Sequence, residues 1–527
     1  MQFDPIDVLT TPFLSVTTNQ TDSLKSQPQL LSLPELYSAL MADRVACMTA
    51  LRPHQKHALH AFLVQVGALA LVAAKRDDAP TAAEDWRSLL AGLTPNFPGN
   101  EPWSLVVEDL SKPALLQPPV PEGRWEVLKE IEPTPDALDV IPYGRQHDLK
   151  SGRMRRAGPD SWFYALLSVQ TISAQNGAPN KAAARSPSGN AFRSFVGISP
   201  ANIGFGAQIR RDIERLCYIR SEIYDQFVGY SESGGLGLVW LEPWDGVQQL
   251  DRSKLDAFYV EICRRIRLAS TLTGLVAHRT GSDNDRIREP DGLEGLTGDP
   301  WTPILNHKQK YRPFVIYDDG LSYSRVASLF DGARTQQSPL QCPASAEGKD
   351  GMVLLLRGIG IQRGKQGVSA SFHERQVFVP QKAVSILRQD ASKKLGGISI
   401  QRVEDARGLV RDVLAPALAA LFGNSSASDK KSEPYLAAFD REIDAGFFEA
   451  LFEEVTLDDH DAKADARRRW LLDLKSRAED ILATAEAGSP LSLVRRYQAR
   501  AAAHRVLQGA FLRVFADKFP AQEKDAK

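Results

Sequence analysis

The sequence predicts an α+β protein, with a large mixed α/β domain over residues 1–395 followed by a C-terminal four-helix bundle over residues 400–520. Before about residue 400, short apolar runs typical of strands alternate with helical patterns. After it, apolar residues recur only at helical spacing. The length of 527 residues, with 43% hydrophobic and 24% charged residues, is that of a soluble chain with about two to four domains.

Helix starts and apolar runs predict the elements of the N-terminal part. Ser32, Pro34 and Glu35 have the order of a capping box at a helix N-terminus. A long helix is expected over residues 53–74, too short and too polar in its apolar part to span a bilayer. Further helices are expected at residues 160–171 and 254–268, and strands at residues 103–107, 236–241, 313–317, 352–356 and 376–379.

Four amphipathic patterns predict the helices of the bundle. Their apolar positions fall in residues 403–421, 435–451, 470–482 and 493–511, separated by polar loops. Pro416 is expected to kink the first of these helices, because proline removes a backbone donor from the helix interior.

The net charge of −1, from 64 basic and 65 acidic residues, is not that of a strongly basic nucleic-acid-binding protein. Any contact with nucleic acid must come from local clusters of charge. One such cluster lies between residues 140 and 195, where Asp148 and Asp160 are the only acidic residues. The basic residues there are Arg145, Lys150, Arg153, Arg155, Arg156, Lys181, Arg185 and Arg193.

Two basic, glycine-bearing segments, predicted as loops over residues 173–199 and 357–375, are candidate DNA contacts. Lysine and arginine neutralise phosphates, glycine allows close backbone approach, and amide side chains reach base edges. The first contains Asn176, Gly177, Asn180, Lys181 and Arg185; the second contains Gln362, Arg363, Gly364, Lys365 and Gln366. The alternative for both is an ordinary solvated loop.

The bundle also carries pairs of basic residues. They either form ion pairs with neighbouring helices or follow a nucleic-acid backbone, and the sequence leaves both possibilities open. The candidates for backbone contact are Arg467, Arg468, Arg495 and Arg496.

No pattern for catalysis, metal binding or a cofactor is present. The segment around Gly364 and Lys365 does not fit a Walker motif, since Ile359 stands where glycine is needed and Gln366 where serine or threonine is needed. His54, His57 and His60 diverge around a helix. Four scattered cysteines and an N-terminus unlike a signal peptide predict a cytoplasmic protein with no membrane contact.

Several blocks resemble CasA, the large subunit of the type I-E CRISPR surveillance complex Cascade. Each block is short, but their order and spacing along nearly the whole chain make the resemblance specific. They are residues 51–57 (LRPHQKH), 109–114 (DLSKPA), 147–154 (HDLKSGRM), 240–245 (WLEPWD), 298–303 (GDPWTP) and 372–375 (FHER).

The resemblance implies a non-catalytic subunit that recognises the protospacer-adjacent motif (PAM) in double-stranded DNA. It also implies duplex opening, R-loop formation and recruitment of a helicase-nuclease, with other Cascade subunits and the CRISPR guide RNA as partners. In such proteins a glycine-rich loop, a lysine and a glutamine-bearing hairpin wedge contact the PAM, and a further loop joins the subunit to the complex.

These elements fall on particular positions of this sequence. The glycine loop corresponds to residues 176–189, the lysine to Lys308 or Lys310, and the wedge to residues 357–367 with Gln362 or Gln366. The complex-anchoring loop corresponds to residues 139–153, with the side chains of Arg145, His147, Lys150 and Arg153.

This chain departs from the family pattern in both PAM-reading elements. Residues 180–185 (NKAAAR) are poorer in glycine, and the segment before Phe372 is longer. The PAM sequence and its stringency are therefore open. The alternatives are an architectural Cascade subunit with lost or altered PAM reading, or a metal-dependent nuclease.

Overall fold

A computed structural model of the chain describes twelve ranges of residues, and the positions between them are not discussed further. The described ranges are residues 6–19, 28–140, 157–174, 180–185, 191–227, 229–293, 295–307, 310–364, 367–387, 392–423, 430–488 and 492–519. The chain forms two compact units, the first comprising Met1–Leu321 and Gln336–Gln376, the second Ser322–Thr335 and Val377–Lys527.

Strands and helices both occur before residue 392, and helices alone follow in the described ranges. The strands are β1 Leu14–Thr18, β2 Gln29–Leu31, β3 Val45–Met48, β4 Glu130–Glu132, β5 Phe195–Pro200, β6 Leu236–Leu238, β7 Leu250–Asp251, β8 Leu255–Val260, β9 Arg265–Thr271, β10 Gly274–Thr280, β11 Ile287–Arg288, β12 Ile304–His307, β13 Lys310–Pro313, β14 Thr335–Gln336, β15 Met352–Gly364 and β16 Gly367–Val379. The α-helices are α1 Leu33–Met41, α2 Lys56–Ala73, α3 Ala83–Gly92, α4 Pro135–Leu138, α5 Pro159–Thr171, α6 Phe205–Tyr218, α7 Arg220–Gln226, α8 Tyr323–Ala327, α9 Gln381–Val384, α10 Ser392–Gly408, α11 Ala415–Phe422, α12 Glu433–Thr456, α13 His460–Ala487 and α14 Leu493–Val514.

Helix α2 lies in the core of the first unit. Residues from His57 to Leu71 are buried all round it, which is why its apolar residues show no single face. The helical stretch Pro53–Ala73 is apolar and long enough to cross a membrane. However, 83% of its most apolar 18-residue segment is buried inside the protein. The prediction of a buried helix is confirmed.

The predicted helix starts are also confirmed. At α1, the Glu35 carboxylate accepts a hydrogen bond of 2.7 Å from the backbone N–H of Ser32, as the capping-box order requires. Helix α5 begins with Pro159 and ends at Thr171, and its residues from Asp160 onward are buried.

Several sequence predictions of secondary structure are wrong. Of the strand expected over residues 313–317, only Pro313 belongs to a strand, at the end of β13. Residues 254–268 form the strands β8 and β9 instead of a helix. Every residue of β8 is buried, including Asp256, so its sequence lacks the alternation of apolar and polar residues that identifies a half-exposed strand. Residues 103–107 do not form a strand, because a 3-10 turn at Glu101–Trp103 places the Trp103 indole in the core.

A long β-hairpin is the feature of the first unit that bears most on function. Strand β15 pairs antiparallel with β5, from Met352 opposite Pro200 to Arg357 opposite Phe195, and β16 lies on the other side of β15. The strands predicted at residues 352–356 and 376–379 are parts of these much longer strands. The predicted glycine-rich loop over residues 357–375 is wrong, since strands run through both of its ends.

The second unit contains the four-helix bundle, which confirms the predicted fold class. The first helical stretch runs from α10 through a π-helical segment, Leu409–Leu414, into α11, and α12, α13 and α14 supply the other three. Pro416 lies in the first turn of α11, directly after the π segment, where a missing backbone N–H is tolerated.

The second unit differs in its boundaries from the predicted bundle at residues 400–520. It begins earlier, at Val377, and takes in the separate segment Ser322–Thr335. Aromatic packing explains the inclusion of that segment, because the Tyr323 ring lies 4.8 Å from Phe447 and the Phe330 ring 6.4 Å from Phe448.

Candidate nucleic-acid interface

The described stems of the first basic segment are held from inside the protein by Arg264. This buried guanidinium donates from Nη2 to the carbonyl of Ala174 at 2.8 Å and from Nη1 to the carbonyl of Ala182 at 2.6 Å. A further backbone bond of 2.9 Å joins Ala184 N to Ser173 O. One side chain thus joins the segment that ends at Ala174 to the segment that contains Ala182.

Asn180 and Lys181 are the first residues of the described segment 180–185. Asn180 forms a bridge with Ser282, and Lys181 N donates to Ser282 O at 3.3 Å. Both side chains are partly exposed and remain candidates for DNA contact. Asn176 and Gly177, the other two candidates in this loop, lie outside the described residues.

Arg185 does not take the predicted position on the surface. It is 3% exposed, and its guanidinium donates to the carbonyls of Ala257 and Tyr259 at 3.2 and 2.6 Å and lies 3.6 Å from the centre of the Tyr259 ring. Its own backbone is left-handed, with φ at +45°. The structure therefore places Arg185 in the core, where its donors fix the stem.

Glu261 is a buried carboxyl next to this stem. Its Oε2 atom accepts a bond of 3.3 Å from Arg185 N, and its Oε1 atom one of 3.3 Å from Ile262 N. Burial raises the pKa of Glu261 to about 7, although the Arg185 charge and the two N–H groups act in the opposite direction. The carboxyl therefore titrates near neutral pH, where an exposed glutamate is fully ionised.

The raised pKa of Glu261 predicts a pH-dependent effect of Glu261→Gln. The folded state holds a proton that the unfolded state releases, so the stabilisation is present below the ordinary glutamate pKa of about 4.5 and is lost as the pH rises through about 7. At each pH, the free energy of unfolding of Glu261→Gln is compared with that of the unmodified chain. This difference should shift in favour of the variant between pH 5 and pH 8, by on the order of 2 kcal/mol. Urea unfolding at both pH values measures this, and an equal difference at both would contradict it.

Arg193 is the second basic residue of this region that lies in the core. It is 5% exposed and forms a two-pronged ion pair with Asp299, with Nε and Nη2 at 2.6 and 2.9 Å from the carboxylate oxygens. Asp299 also accepts bonds from Trp301 N and Thr302 Oγ1. Burial alone would raise the pKa of Asp299, but Arg193 holds it below its usual value.

Lys310 lies on a short hairpin formed by β12 and β13. His307 is paired with Lys310, and the Lys310 side chain is exposed. It remains a candidate for contact with DNA. Lys308, the alternative for the same role, lies outside the described residues.

The glycines of the long hairpin have a packing role near its base. Gly358 and Gly360 lie two residues apart and therefore on the same face of β15. A Cβ atom on Gly360 would overlap the carbonyl oxygen of Tyr317, and one on Gly358 would press on the side chain of Ile316. These two glycines thus let β15 lie against residues 316–317, and they are not free for a DNA backbone.

The far end of the hairpin carries the predicted wedge residues. Gln362, Arg363 and Gly364 form the end of β15, and β16 begins at Gly367. Lys365 and Gln366 lie outside the described residues, between the ends of the two strands. Three of the five candidates therefore belong to a strand end, where the sequence predicts a loop.

The residues predicted to anchor the subunit in a complex, Arg145, His147, Lys150 and Arg153, lie outside the described residues. The chain before them is firmly held at Asp139. Its carboxylate lies 2.9 Å from His54 Nε2 and accepts bonds from Gln55 Nε2 at 2.6 Å and Ser168 Oγ at 2.7 Å.

The four bundle arginines divide by environment. Arg467 is half-buried and pairs with Asp405 at 2.6 Å, so its charge is used between helices α13 and α10. Arg468 pairs with Asp465 three residues earlier on its own helix. Arg495 is exposed and Arg496 partly exposed on α14. Because Arg467 forms an ion pair between helices, it is a weaker candidate for contact with a DNA backbone than the other three arginines.

The histidines of α2 and the turn before it serve the core. His54 and His60 contact the carboxylates of Asp139 and Asp212, at 2.9 and 2.7 Å. Burial and nearby positive groups lower the pKa of His57, whose ring stacks on Phe372. Within the twelve described ranges, no group of three or more His, Cys, Asp or Glu side chains is placed to hold a metal ion.

Sequence reasoning missed the buried residues that support this region, namely Arg264, Glu261 and Asp299. A signal was present for the first two, because charged residues interrupt an otherwise apolar run at residues 255–268. Charges in such a run are usually paired or hydrogen-bonded when buried.

Comparison with solved structures identifies the fold. A crystal structure of Thermus thermophilus CasA superposes with a TM-score of 0.61 at 14% identity, over 96% of this chain and 100% of that one. A second structure of Thermus thermophilus CasA gives 0.60 at 15% identity, over 98% and 100%. The chain has the CasA fold.

A third CasA-type structure agrees. Cse1 of Thermobifida fusca gives a TM-score of 0.59 at 14% identity and covers 98% of this chain and 97% of that one. No protein-family model matches the sequence, and no curated protein matches it either. The CasA fold is thus recognised from the three-dimensional arrangement over nearly the whole chain, where sequence comparison found no match.

Proposed function

We propose that this chain is the non-catalytic large subunit of a type I-E-like CRISPR Cascade complex. In this role it recognises the PAM in double-stranded target DNA, promotes duplex opening and R-loop formation, and recruits the helicase-nuclease. Its partners are the other Cascade subunits and the guide RNA. The observation that carries the proposal is the CasA fold over 96–98% of the chain.

Because one fold can serve unrelated functions, the residues of the candidate interface must support the role as well. Two pairs of strands carry suitable residues: exposed Lys310 lies on β13, and Gln362 lies near the end of β15. The loop stem at Asn180 and Lys181 supplies a third group. Such a set combines phosphate-neutralising charge with amide groups that reach base edges.

The minor groove distinguishes little more than A·T from G·C pairs, so a reader of this kind suits a short and permissive motif. A wedge that unstacks one base step costs a few kcal/mol, which backbone contacts must offset. Base pairing with the guide then supplies the sequence specificity. A subunit with a net charge of −1 is sufficient, because a few local groups touch DNA and partners contribute the rest.

Target binding by the assembled, guide-loaded complex tests this proposal. Duplexes that carry the target next to a randomised flank are bound and sequenced, and we expect strong enrichment of one flank class. Combined Gln362→Ala and Gln366→Ala substitutions should weaken binding to the enriched duplex by about tenfold or more. Lys310→Ala should weaken binding to all duplexes and reduce the salt dependence. Lys349→Ala, an exposed lysine outside both hairpins, is the control.

A second candidate is an architectural Cascade subunit that has lost PAM reading. One observation favours it: Arg185, a predicted DNA contact, is buried in the core. Equal binding to all flanks by the unmodified complex, with intact assembly, would establish this second role and contradict the first.

A further inference from the structure

A cleft of about 550 Å³ in the first unit lies apart from the hairpin ends and the loop stem of the candidate interface. One wall is strand β3, which pairs only with β1 among the described strands. The opposite wall is a face of the β15–β16 hairpin, with Val353, Leu355 and Arg357 on alternate positions of β15. Lys56 at the start of α2 and Gln208 on α6 also line it.

The polar groups of this cleft are complementary to a negative charge. None of the residues that line it is acidic, and Lys56 and Arg357 are basic. Arg357 already lies 3.2 Å from Glu374, whereas Lys56 is exposed and has no ion pair within the described ranges. Gln208 is 8% exposed, and its Nε2 donor has no hydrogen-bond partner among the described residues. A buried amide donor without a partner is costly, and a ligand carboxylate would satisfy it.

The shape of the cleft favours an extended chain. Ala46 and Cys47 on β3 are exposed, and a strand with a neighbour on one side only presents main-chain groups to a further strand. Apolar side chains line the same space, namely Val45, Met48, Leu51, Phe205, Val353 and Leu355. The volume suits a few residues of peptide. Two cations in a largely apolar lining fit a peptide better than a polyanionic nucleic acid.

We propose that this cleft binds an extended acidic segment of a partner protein. The segment lies along β3, buries apolar side chains against the β15 face, and places a carboxylate against Lys56 and the Gln208 amide. Arg357, at the start of the predicted wedge, is the only lining residue that belongs to the candidate PAM elements, and the test below relies on Lys56, Gln208 and Cys47, so the site stands or falls independently of the proposed function.

Fluorescence anisotropy with the purified full-length chain tests the site. The probe is a fluorescein-labelled, acetylated heptapeptide of alternating valine and glutamate, and its matched control has glutamine in place of glutamate. We expect the acidic peptide to bind at least about tenfold more tightly than the neutral one, as for the loss of a charge-assisted hydrogen bond.

Variants then assign the binding to this cleft. Lys56→Gln and Gln208→Leu should each weaken the acidic peptide by about tenfold and leave the neutral peptide unchanged. Cys47→Trp should block both peptides by filling the cleft beside β3. Lys129→Gln, an exposed lysine that does not line the cleft, should change nothing.

Three results would overturn the proposal: no binding of either peptide, equal affinity for the two, or acidic-peptide binding that survives Lys56→Gln, Gln208→Leu and Cys47→Trp. Tighter binding of a heptanucleotide RNA that is lost in Lys56→Gln would instead assign the cleft to nucleic acid. Circular dichroism and thermal unfolding of each variant show whether a loss of binding reflects a loss of fold.

Discussion

Replacing Asp299 with alanine is expected to lower the free energy of unfolding of the first unit by about 3–5 kcal/mol, since it leaves a buried guanidinium without its partner. Arg193 and Asp299 are 5% and 1% exposed and are joined by two hydrogen bonds. The same carboxylate accepts bonds from Trp301 N and Thr302 Oγ1, which would also lose their acceptor. The pair joins the segment before β5 to the GDPWTP block, so its loss should loosen both.

Urea unfolding monitored by hydrogen exchange and mass spectrometry resolves this effect by position. Peptides from β5 and from residues 298–303 should lose protection, while those from α12 and α13 keep theirs. The matched control is Glu84→Ala, which removes an exposed partner of Arg87 and should cost less than about 1 kcal/mol. Replacing Arg193 and Asp299 together by methionine and leucine should restore much of the stability, because no charge then remains buried. Equal effects of Asp299→Ala and Glu84→Ala would contradict the role of the pair.

The elements that were predicted well are those whose sequence signal is local. The capping box at Ser32 and Glu35, the apolar helix after Pro53 and the amphipathic helices of the bundle are each encoded within a few turns. Helix α5 is another example, with Pro159 in its first turn. In these cases the residues that decide the structure are neighbours in sequence.

The failures come from contacts between distant parts of the chain. The sequence of β8 resembles a helix because tertiary packing buries both faces of the strand. Gly358 and Gly360 resemble parts of a flexible loop, but the space they leave is filled by residues 316–317. Nothing within the neighbouring sequence shows that such a neighbour exists, and only the folded structure brings it there.

The candidate interface shows the same limit for charge. Charge counting places the basic cluster between residues 140 and 195 on the surface, yet Arg185 and Arg193 lie in the core, 3% and 5% exposed. Their guanidinium groups bind carbonyls and a carboxylate that come from residues 257–299. A count of charges along the sequence cannot separate an arginine that fixes a loop stem from one that meets a phosphate. The difference lies in whether its donors find internal acceptors.

The resemblance to CasA predicts candidate elements that charge counting alone does not single out. It predicts a wedge at residues 357–367 and a lysine at residue 308 or 310, and the described residues of these stretches lie in the paired strands β15, β16 and β13. Whether these hairpins read a PAM is decided by target binding of the guide-loaded complex. The physical reason for expecting a contact there is that a hairpin end can extend side chains from a rigid base, which a flexible loop cannot do.

In the bundle, replacing Glu454 with alanine is expected to lower the free energy of unfolding of the second unit by about 3–5 kcal/mol. Arg402 on α10 is 1% exposed, donates from Nε to Glu454 on α12 at 2.6 Å, and lies 4.6 Å from the centre of the Trp470 ring on α13. Burial lowers the pKa of Arg402, and Glu454 opposes that shift. Without Glu454 the guanidinium would stay buried at the junction of three helices and lose its ion-pair partner.

The neighbouring residue gives a matched control on the same helix. Glu453 pairs with Arg469 at 2.9 Å, but both side chains are more than half exposed, so Glu453→Ala should cost less than about 1 kcal/mol. Hydrogen exchange of α12 and α13 in urea measures both variants, with the first unit as internal reference. A combined Arg402→Met and Glu454→Leu variant should approach the unmodified stability, since two well-packed apolar side chains can replace a buried ion pair. A large loss in that variant as well would mean that the pair stabilises the bundle through its hydrogen-bond geometry, and that an unpaired buried charge is not the cause of the loss in Glu454→Ala.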